Sequence, residues 1–377
     1  MISQVIIAIL VVLTIYYVSF LLRVQRGLKN LMVQQDSGQQ KPFVSVVIAA
    51  RNEERTIESC INGILRQRYP TDLYEIIVVD DGSNDRTLSI LHHLAASQAR
   101  IRILSTKSNT EMESVGKPAA ISAGVNAARG EIIVTTDADC IVPIAWIGTM
   151  VQYLQPPVAF AAGAVRERPN TTFLSKLSAL EYLGLITTSA GLIGASRPII
   201  CSGANLAYRK SAFLAAQGYG ESQTWCDDET LMHRIRERRL GEIAFVASTD
   251  ALVETSSVNS ISSFWKQRLR WSAKGNHYEN TGVLLTVIGI YFFFLFLLAA
   301  FVGGMFSPTM SLWFVLCMGT KMAFDYSTLA KGARLLNDRV FGLVYLAAEI
   351  LHVPYVVLTA GIGQFISIQW KGRSINS

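Results

Sequence analysis

Residues 132–139 read Ile-Ile-Val-Thr-Thr-Asp-Ala-Asp. A short β-branched apolar run that turns acidic at its end has the composition of a buried strand whose carboxyl terminus leaves the core. Asp137 and Asp139 are two residues apart, so in an extended segment their carboxylates point the same way. Two carboxylates so placed can hold Mg2+ or Mn2+ against a diphosphate, the ion serving as Lewis acid and leaving-group clamp. Surface turns are also rich in Asp, and it is the position directly after a buried strand that favours the ligand reading.

The same pattern repeats toward the N-terminus. Phe43–Ala50 (FVSVVIAA) is a continuous apolar run after Pro42, followed by Arg51, Asn52 and Glu53 and then a helical pattern through Arg66. Glu75–Asp80 (EIIVVD) runs into Asp81-Gly82-Ser83 and Asp85 before another helix. Ile101–Leu104 is a short third strand, and Pro118 suits the first turn of a helix ending near Gly130. Strands alternating with helices predict an α/β fold with a mostly parallel central sheet and right-handed crossovers. In such sheets ligands lie beyond the carboxyl ends of the strands, and three of these strands end in polar or acidic residues: Asn52-Glu53, Asp80-Asp81 and Asp137-Ala138-Asp139. No GxGxxG follows any of them, which excludes the usual nicotinamide or flavin dinucleotide site.

Four further groups of residues are candidates for chemistry. Asp80 and Asp81 either bind a nucleotide's base and ribose or belong to a turn, since Asp, Gly and Ser favour turns and helix caps. The turn reading covers Ser83 and Asp85 well, but leaves two adjacent carboxylates at the ligand edge without a reason. Lys117 precedes a helix N-terminus, where positive charge is unfavourable; a diphosphate partner or plain solvent exposure accounts for it. Trp225-Cys226-Asp227-Asp228-Glu229 opens a helix, and its acids are either ordinary N-terminal stabilisers or include a general base for an acceptor hydroxyl. Gln267-Arg268-Leu269-Arg270-Trp271 reads as an interfacial helix, as a phosphate- and sugar-binding segment, or as both.

The chain has 377 residues, 50% hydrophobic and 16% charged, with net charge +6. The apolar excess lies before Arg23 and after Thr281, around a central stretch long enough for its own core. Positive charge clusters beside the apolar stretches, at Arg23, Arg26 and Lys29 and at Lys266, Arg268, Arg270 and Lys274, which fits contact with a bilayer; no nucleic-acid-binding motif is present. The five cysteines are widely spaced with no CxxC, so neither a disulfide framework nor a zinc site is expected.

Val5–Leu22 is 18 apolar residues with positive charge after it, the pattern of an uncleaved anchor whose C-terminal end is cytosolic. Val283–Phe306 is a second span that Pro308 ends, Ser311–Leu329 a weaker third, and Val340–Ile368 a last apolar stretch that is re-entrant, interfacial or spanning. Lys321 and Asp325 share a helix face; the expectation is a helix end with a snorkelling lysine, the alternative a polar site facing lipid. Phe173–Gly194 is apolar and is expected to be an interfacial helix near the acceptor. The expected domains are an anchor over 1–24, a cytosolic catalytic domain over 42–280, and a C-terminal membrane region over 281–370 with two or three helices.

In order along the chain, FVSVVIAARNEE, VVDDGSNDRT, GKPAAISAGVNAARGEIIVTTDADC, CSGANLAYRKSAF, DDETLMHRI and QRLRW resemble the motifs of the membrane-bound family 2 glycosyltransferases, which include cellulose, chitin and hyaluronan synthases and ceramide glucosyltransferases. The resemblance covers Phe43 to Trp271 and the flanking spans. It implies a GT-A fold and inverting transfer from a nucleotide-diphosphate sugar, with a UDP-linked donor expected, to a lipid or growing glycan at the inner membrane. By the same resemblance Asp80, Asp81 and Lys117 would hold the nucleotide, and Asp137 and Asp139 the Mg2+ or Mn2+. Asp228 would be the base, with Gln267, Arg268, Arg270, Trp271 and Asn205 at the diphosphate and acceptor. With one anchor before the domain and at most three segments after it, transfer of one or a few sugars is the expectation. A sugar-nucleotide-forming nucleotidyltransferase and a non-catalytic membrane scaffold are the rival readings.

Overall fold

Seven consecutive buried residues, Tyr74–Asp80, form strand β2 of the central sheet. It lies between β1 (Val44–Ala50) and β3 (Ile101–Ser105), parallel to both, and β1 pairs on its other side with β4 (Ile132–Thr135), also in parallel. Continuous Val/Ile runs are what strands covered on both faces require. Each fully buried Ile or Val there contributes about 1.5–3 kcal/mol. The register pairs Ala50 with Asp80 and Asp80 with Ser105, so the acidic ends of these strands reach the same rim.

The computed structural model describes residues 2–32, 41–106, 116–219, 227–272, 280–363, 368–370 and 373–375. Trp225, Cys226 and Lys274, singled out above, lie outside them. The sheet continues through β5 (Val158–Gly163), β7 (Leu206–Arg209) and β8 (Glu242–Val246) in the order β3-β2-β1-β4-β7-β5-β8. Only β7 runs against its neighbours. β6 (Val165–Arg168) and β9 (Val253–Ser256) form a separate parallel pair.

The helices of this unit follow the sequence pattern. α2 (Ile57–Leu65) buries Ile57, Cys60, Ile61 and Ile64, one face at helical spacing. α3 (Thr87–Ser97) follows β2, α4 (Lys117–Ala127) follows β3 with Pro118 in its first turn, and α5 (Trp146–Gln152) follows β4. α4 lies so close to the sheet that a β-carbon on Gly124 would come within 2.3 Å of Val47 Cγ1. α7 (Lys210–Ala215) and α8 (Asp227–Glu237) complete the unit.

The chain divides into two compact units, Asn30–Arg168 with Leu192–Ser256, and Met1–Lys29 with Pro169–Gly191 and Ser257–Ser377. These cut across the expected 42–280 domain. The second unit contains α1 (Ile2–Lys29), α6 (Phe173–Gly194, through Gly191), α9 (Ile261–Ser272), α10 (Thr281–Gly304), α11 (Pro308–Leu335) and α12 (Gly342–Gly363). Leu180 of α6 packs with Val344 and Tyr345 of α12, which is why α6 belongs with these helices. Among the described residues, four helices are long and apolar enough to cross a membrane: Ser3–Lys29, Phe173–Gly194, Thr281–Gly304 and Gly342–Gly363. Pro308 opens α11, with Ser307 as its N-cap.

The Lys321 expectation needs correction. Lys321 is not at an interfacial helix end; it is fully buried in α11, with Nζ 2.8 Å from Asp325 Oδ2 and paired as well with Glu349 of α12. Asp325 also accepts a 2.8 Å hydrogen bond from Tyr17 of α1. The second carboxylate lies 28 residues away on another helix, a partner that helical spacing within α11 cannot reveal.

Candidate active site

Lys117, Asp137 and Asp228 converge. The Lys117 ammonium lies 2.8 Å from Asp137 Oδ1 and 4.0 Å from Asp228 Oδ2. Three separate devices bring them there. Asp137 leaves the carboxyl end of β4, where the preceding Thr136 hydroxyl donates to Ala204 O at 2.9 Å. Lys117 is the first residue of α4, following Gly116 at φ +118°. Asp228 lies in the first turn of α8, its carboxylate against Gly203, where a β-carbon would come 1.9 Å from Oδ2. All three side chains are partly exposed, at 28%, 37% and 18%, so the group is open to a ligand.

Asp80 and Asp81 are buried at the end of β2. The Asp80 carboxylate accepts from Ser83 N at 3.2 Å, and Asp81 Oδ1 accepts from the Thr106 hydroxyl at 3.3 Å. Arg51 Nη1 donates to the Asp81 carbonyl at 2.6 Å. The loops after β1 and β2 are laced together: Asn52 N donates to Ser83 Oγ, Glu53 N to Thr87 Oγ1 and Glu54 N to Asp85 Oδ2. Partial burial opposes charge on Asp85, but hydrogen bonds from the Thr87 hydroxyl, Thr87 N and Glu54 N outweigh it and hold the carboxyl below its ordinary value. Ser83 and Asp85 therefore do the turn and cap work that their residue types implied.

Asp139 is exposed, two residues beyond Asp137. Two buried thiols adjoin this turn, Cys60 with its Sγ on Asp137 O and Cys140 with its Sγ near Asp139 Oδ1. Burial, and then the aspartate charges, push both thiols well up. Among the described residues no three His, Cys, Asp or Glu side chains form a cage for a metal. Two carboxylates with open positions are nonetheless the donor set that Mg2+ or Mn2+ takes when substrate phosphates and water supply the rest. The Lys117 ammonium resting on Asp137 shows that the site favours positive charge. The residues fit the ion.

Two expected site residues have their side chains engaged within the fold. Asn205 is fully buried: Oδ1 accepts from Trp146 Nε1 at 2.8 Å, and Nδ2 donates to Ala164 O at 2.8 Å and Ala251 O at 2.7 Å. With both donors and its oxygen engaged in the core, it ties the start of β7 to α5, to Ala164 just after β5 and to Ala251 just before β9. Arg268 of α9 is 1% exposed and paired with Glu181 of α6 at 2.7 Å, so its charge is matched within the fold. Gln267, Arg270 and Trp271 are half-buried on the same helix.

The family description "Glycosyl transferase family 2" matches residues 45–215, and "Glycosyl transferase family group 2" matches residues 132–326, just over half of the 377-residue chain. The chain belongs to glycosyltransferase family 2. This glycosyltransferase is 27% identical over 269 residues to the poly-beta-1,6-N-acetyl-D-glucosamine synthase of Staphylococcus epidermidis, covering 70% of this chain but only 61% of that one. It is 36% identical over 106 residues to the glycosyltransferase AglE of Haloferax volcanii, covering 28% of this chain and 33% of that one. Among solved structures it resembles the mannosyltransferase PcManGT from Pyrobaculum calidifontis, in complex with GDP-Man and Mn2+, with TM-score 0.57, 19% identity, and coverage of 95% and 98% of the two chains. That likeness establishes the GT-A-like fold.

The residue that sequence reasoning missed is Gly203, quoted within CSGANLAYRK but given no role. A glycine in a polar loop beside a family motif is the signal for a close approach, here of a carboxylate to backbone.

Proposed function

We propose that this glycosyltransferase moves a sugar from a nucleotide-diphosphate donor, UDP-linked, to the hydroxyl of a lipid or glycan acceptor at the inner membrane, with its catalytic unit in the cytosol. The observation that carries the reading is the approach of Lys117, Asp137 and Asp228 at the carboxyl rim of the sheet. A diphosphate leaving group calls for cations, and an acceptor hydroxyl calls for a base, and both needs are met within a few ångströms.

Asp228 takes the proton as the acceptor oxygen attacks the anomeric carbon. The bond from that carbon to the diphosphate breaks on the opposite face, so configuration inverts. The nucleoside diphosphate departs with the electron pair, its negative charge facing the Lys117 ammonium. Asp137 and Asp139 would hold Mg2+ or Mn2+, which supplies Lewis-acid neutralisation of the diphosphate when bound. Asp80 and Asp81 hold the nucleoside, and Gln267, Arg270 and Trp271 serve the diphosphate and acceptor. The relative from S. epidermidis makes N-acetylglucosamine the first sugar to test.

Full-length protein in lipid nanodiscs is given Mg2+ or Mn2+ and, in turn, labelled UDP-N-acetylglucosamine, UDP-glucose and GDP-mannose, with extracted bacterial lipid as acceptor. Metal-dependent nucleoside diphosphate release, with label passing into a lipid or polymer fraction, is expected for one donor. Diphosphate release from sugar 1-phosphate and a nucleoside triphosphate, with no transfer from any donor, would overturn the reading.

A further inference from the structure

α9, the helix that carries Gln267, Arg270 and Trp271, is gripped at its centre by a buried charged clasp. Arg268 donates from Nε (3.0 Å) and Nη2 (2.7 Å) to Glu181 Oε2, and from Nη2 to Ser178 Oγ (3.1 Å), both on α6. Its Nη1 donates to the Gln267 side-chain oxygen. The guanidinium is stacked between the rings of Phe264 and Trp271, 4.3 and 4.5 Å from their centroids. Phe264 and Trp271 lie four residues before and three after Arg268, so all three share one face of α9.

The other oxygen of Glu181 is held from α12. Tyr355 donates its hydroxyl to Glu181 Oε1 at 2.8 Å, and the Tyr355 ring packs on Phe264 and Trp265. Tyr182, beside Glu181 on α6, packs on Trp271. At the end of α9 the Ser272 hydroxyl donates to Thr359 O of α12 at 2.9 Å. One carboxylate therefore ties α6, α9 and α12 together, and two of the three motif side chains, Gln267 and Trp271, touch the guanidinium it fixes.

We propose that Glu181 is a positioning residue for transfer: its carboxylate holds Arg268, and through Arg268 sets the placement of Gln267, Arg270 and Trp271. A bare ionic glue would need no stacking and no second-helix hydroxyl. Here each remaining group of the pair is oriented, which is how a supporting shell keeps reacting residues within a fraction of an ångström. Without Glu181 the buried guanidinium loses its counter-charge and must move toward water, taking its turn of α9 with it. The sequence hint is a lone acid at position 181 in a helix whose other charge is Lys176.

The inference rests on the transfer reaction proposed above, and two measurements separate them. Wild type, Glu181→Gln and Glu181→Ala are compared in nanodiscs for amide exchange over α9 and for single-turnover transfer, with donor affinity and melting temperature alongside. Expected for Glu181→Ala are at least fivefold faster exchange across α9 and transfer slowed about 10- to 100-fold, with donor affinity falling by less than the transfer rate. Glu181→Gln, which keeps an acceptor oxygen for Arg268, is expected to recover part of both. Unchanged exchange in α9, or transfer at the wild-type rate despite faster exchange, overturns the positioning role, as does slowing that only tracks a fallen melting temperature. A wild-type chain that transfers nothing would remove the reaction, whereas α9 exchange reports the clasp whether or not transfer occurs.

Discussion

Gly203 and the Asp228 carboxylate occupy the same small space, with room for a hydrogen and not for a methyl group: a β-carbon at 203 would sit 1.9 Å from Asp228 Oδ2. Gly203→Ala therefore displaces the proposed base without altering its chemistry. The expected result is transfer slowed about 100-fold, since a shift of about 1 Å costs that much, with donor binding within a few-fold of wild type. Stopped-flow or single-turnover assays beside donor titration check it. Wild-type turnover in Gly203→Ala would remove Asp228 from the reacting position.

Lys117, Asp137 and Asp228 are adjacent but have different expected signatures. Lys117→Met removes the ammonium proposed to face the diphosphate and should weaken donor binding about tenfold, or 1.4 kcal/mol. Asp137→Asn should weaken donor binding too, and should do so most at limiting Mn2+ or Mg2+. Asp228→Asn should leave donor affinity near wild type while lowering the transfer rate 10²- to 10⁴-fold, roughly the range of general-base catalysis. Calorimetric donor binding with and without the ion, beside single-turnover rates, distinguishes the three. Equal losses of affinity in all three variants would contradict the division of roles.

Strand ends were legible in the sequence because a mostly apolar, β-branched run that turns polar or acidic at its end has few other readings, and β1, β2 and β4 fall on such runs. α6 was legible to the residue, Phe173–Gly194, since an apolar segment bounded by Pro169-Asn170 and Arg197-Pro198 leaves little choice. The burial of Asn205 and Arg268 was not legible, because a motif position says nothing of burial. A side chain can be essential as a strut as readily as a ligand, and only packing against Trp146 or Glu181 separates the two. The partners of Lys321 and of Glu75 were out of reach for another reason: each is set by register or helix packing between segments tens of residues apart.

Glu75 gives a pH prediction away from the reacting groups. It lies at the amino-terminal part of β2, fully buried, accepting from Ser45 Oγ (2.8 Å), Arg129 N (2.7 Å) and Arg102 Nη1 (3.0 Å). Burial opposes its charge, but these hydrogen bonds outweigh that and hold the carboxyl below its ordinary value near 4.5. A lowered folded-state value means the stabilisation is complete above the unfolded value and fades as pH falls through the folded one. Glu75→Gln should melt lower than wild type above pH 5, by an amount corresponding to about 1–3 kcal/mol, and the gap should close below pH 4. Melting curves across that range test the sign, and a gap that widens in acid would contradict it.

Lys321 tests whether the membrane helices are held by charge balance. Its ammonium serves Asp325 and Glu349 together, and Phe294 closes over it at 5.4 Å. Removing the cation alone leaves two carboxylates facing each other among apolar side chains, a loss of about 3–5 kcal/mol for a buried pair broken on one side. Neutralising the partners as well removes that penalty, because uncharged groups of similar shape cost little to bury. Lys321→Met should therefore unfold far more readily than wild type in detergent titrated with SDS. The triple variant Lys321→Met, Asp325→Asn, Glu349→Gln should regain most of the difference, although it carries more substitutions. A triple variant no more stable than Lys321→Met would show that α1, α11 and α12 are held by the shape of these side chains, with their charges incidental.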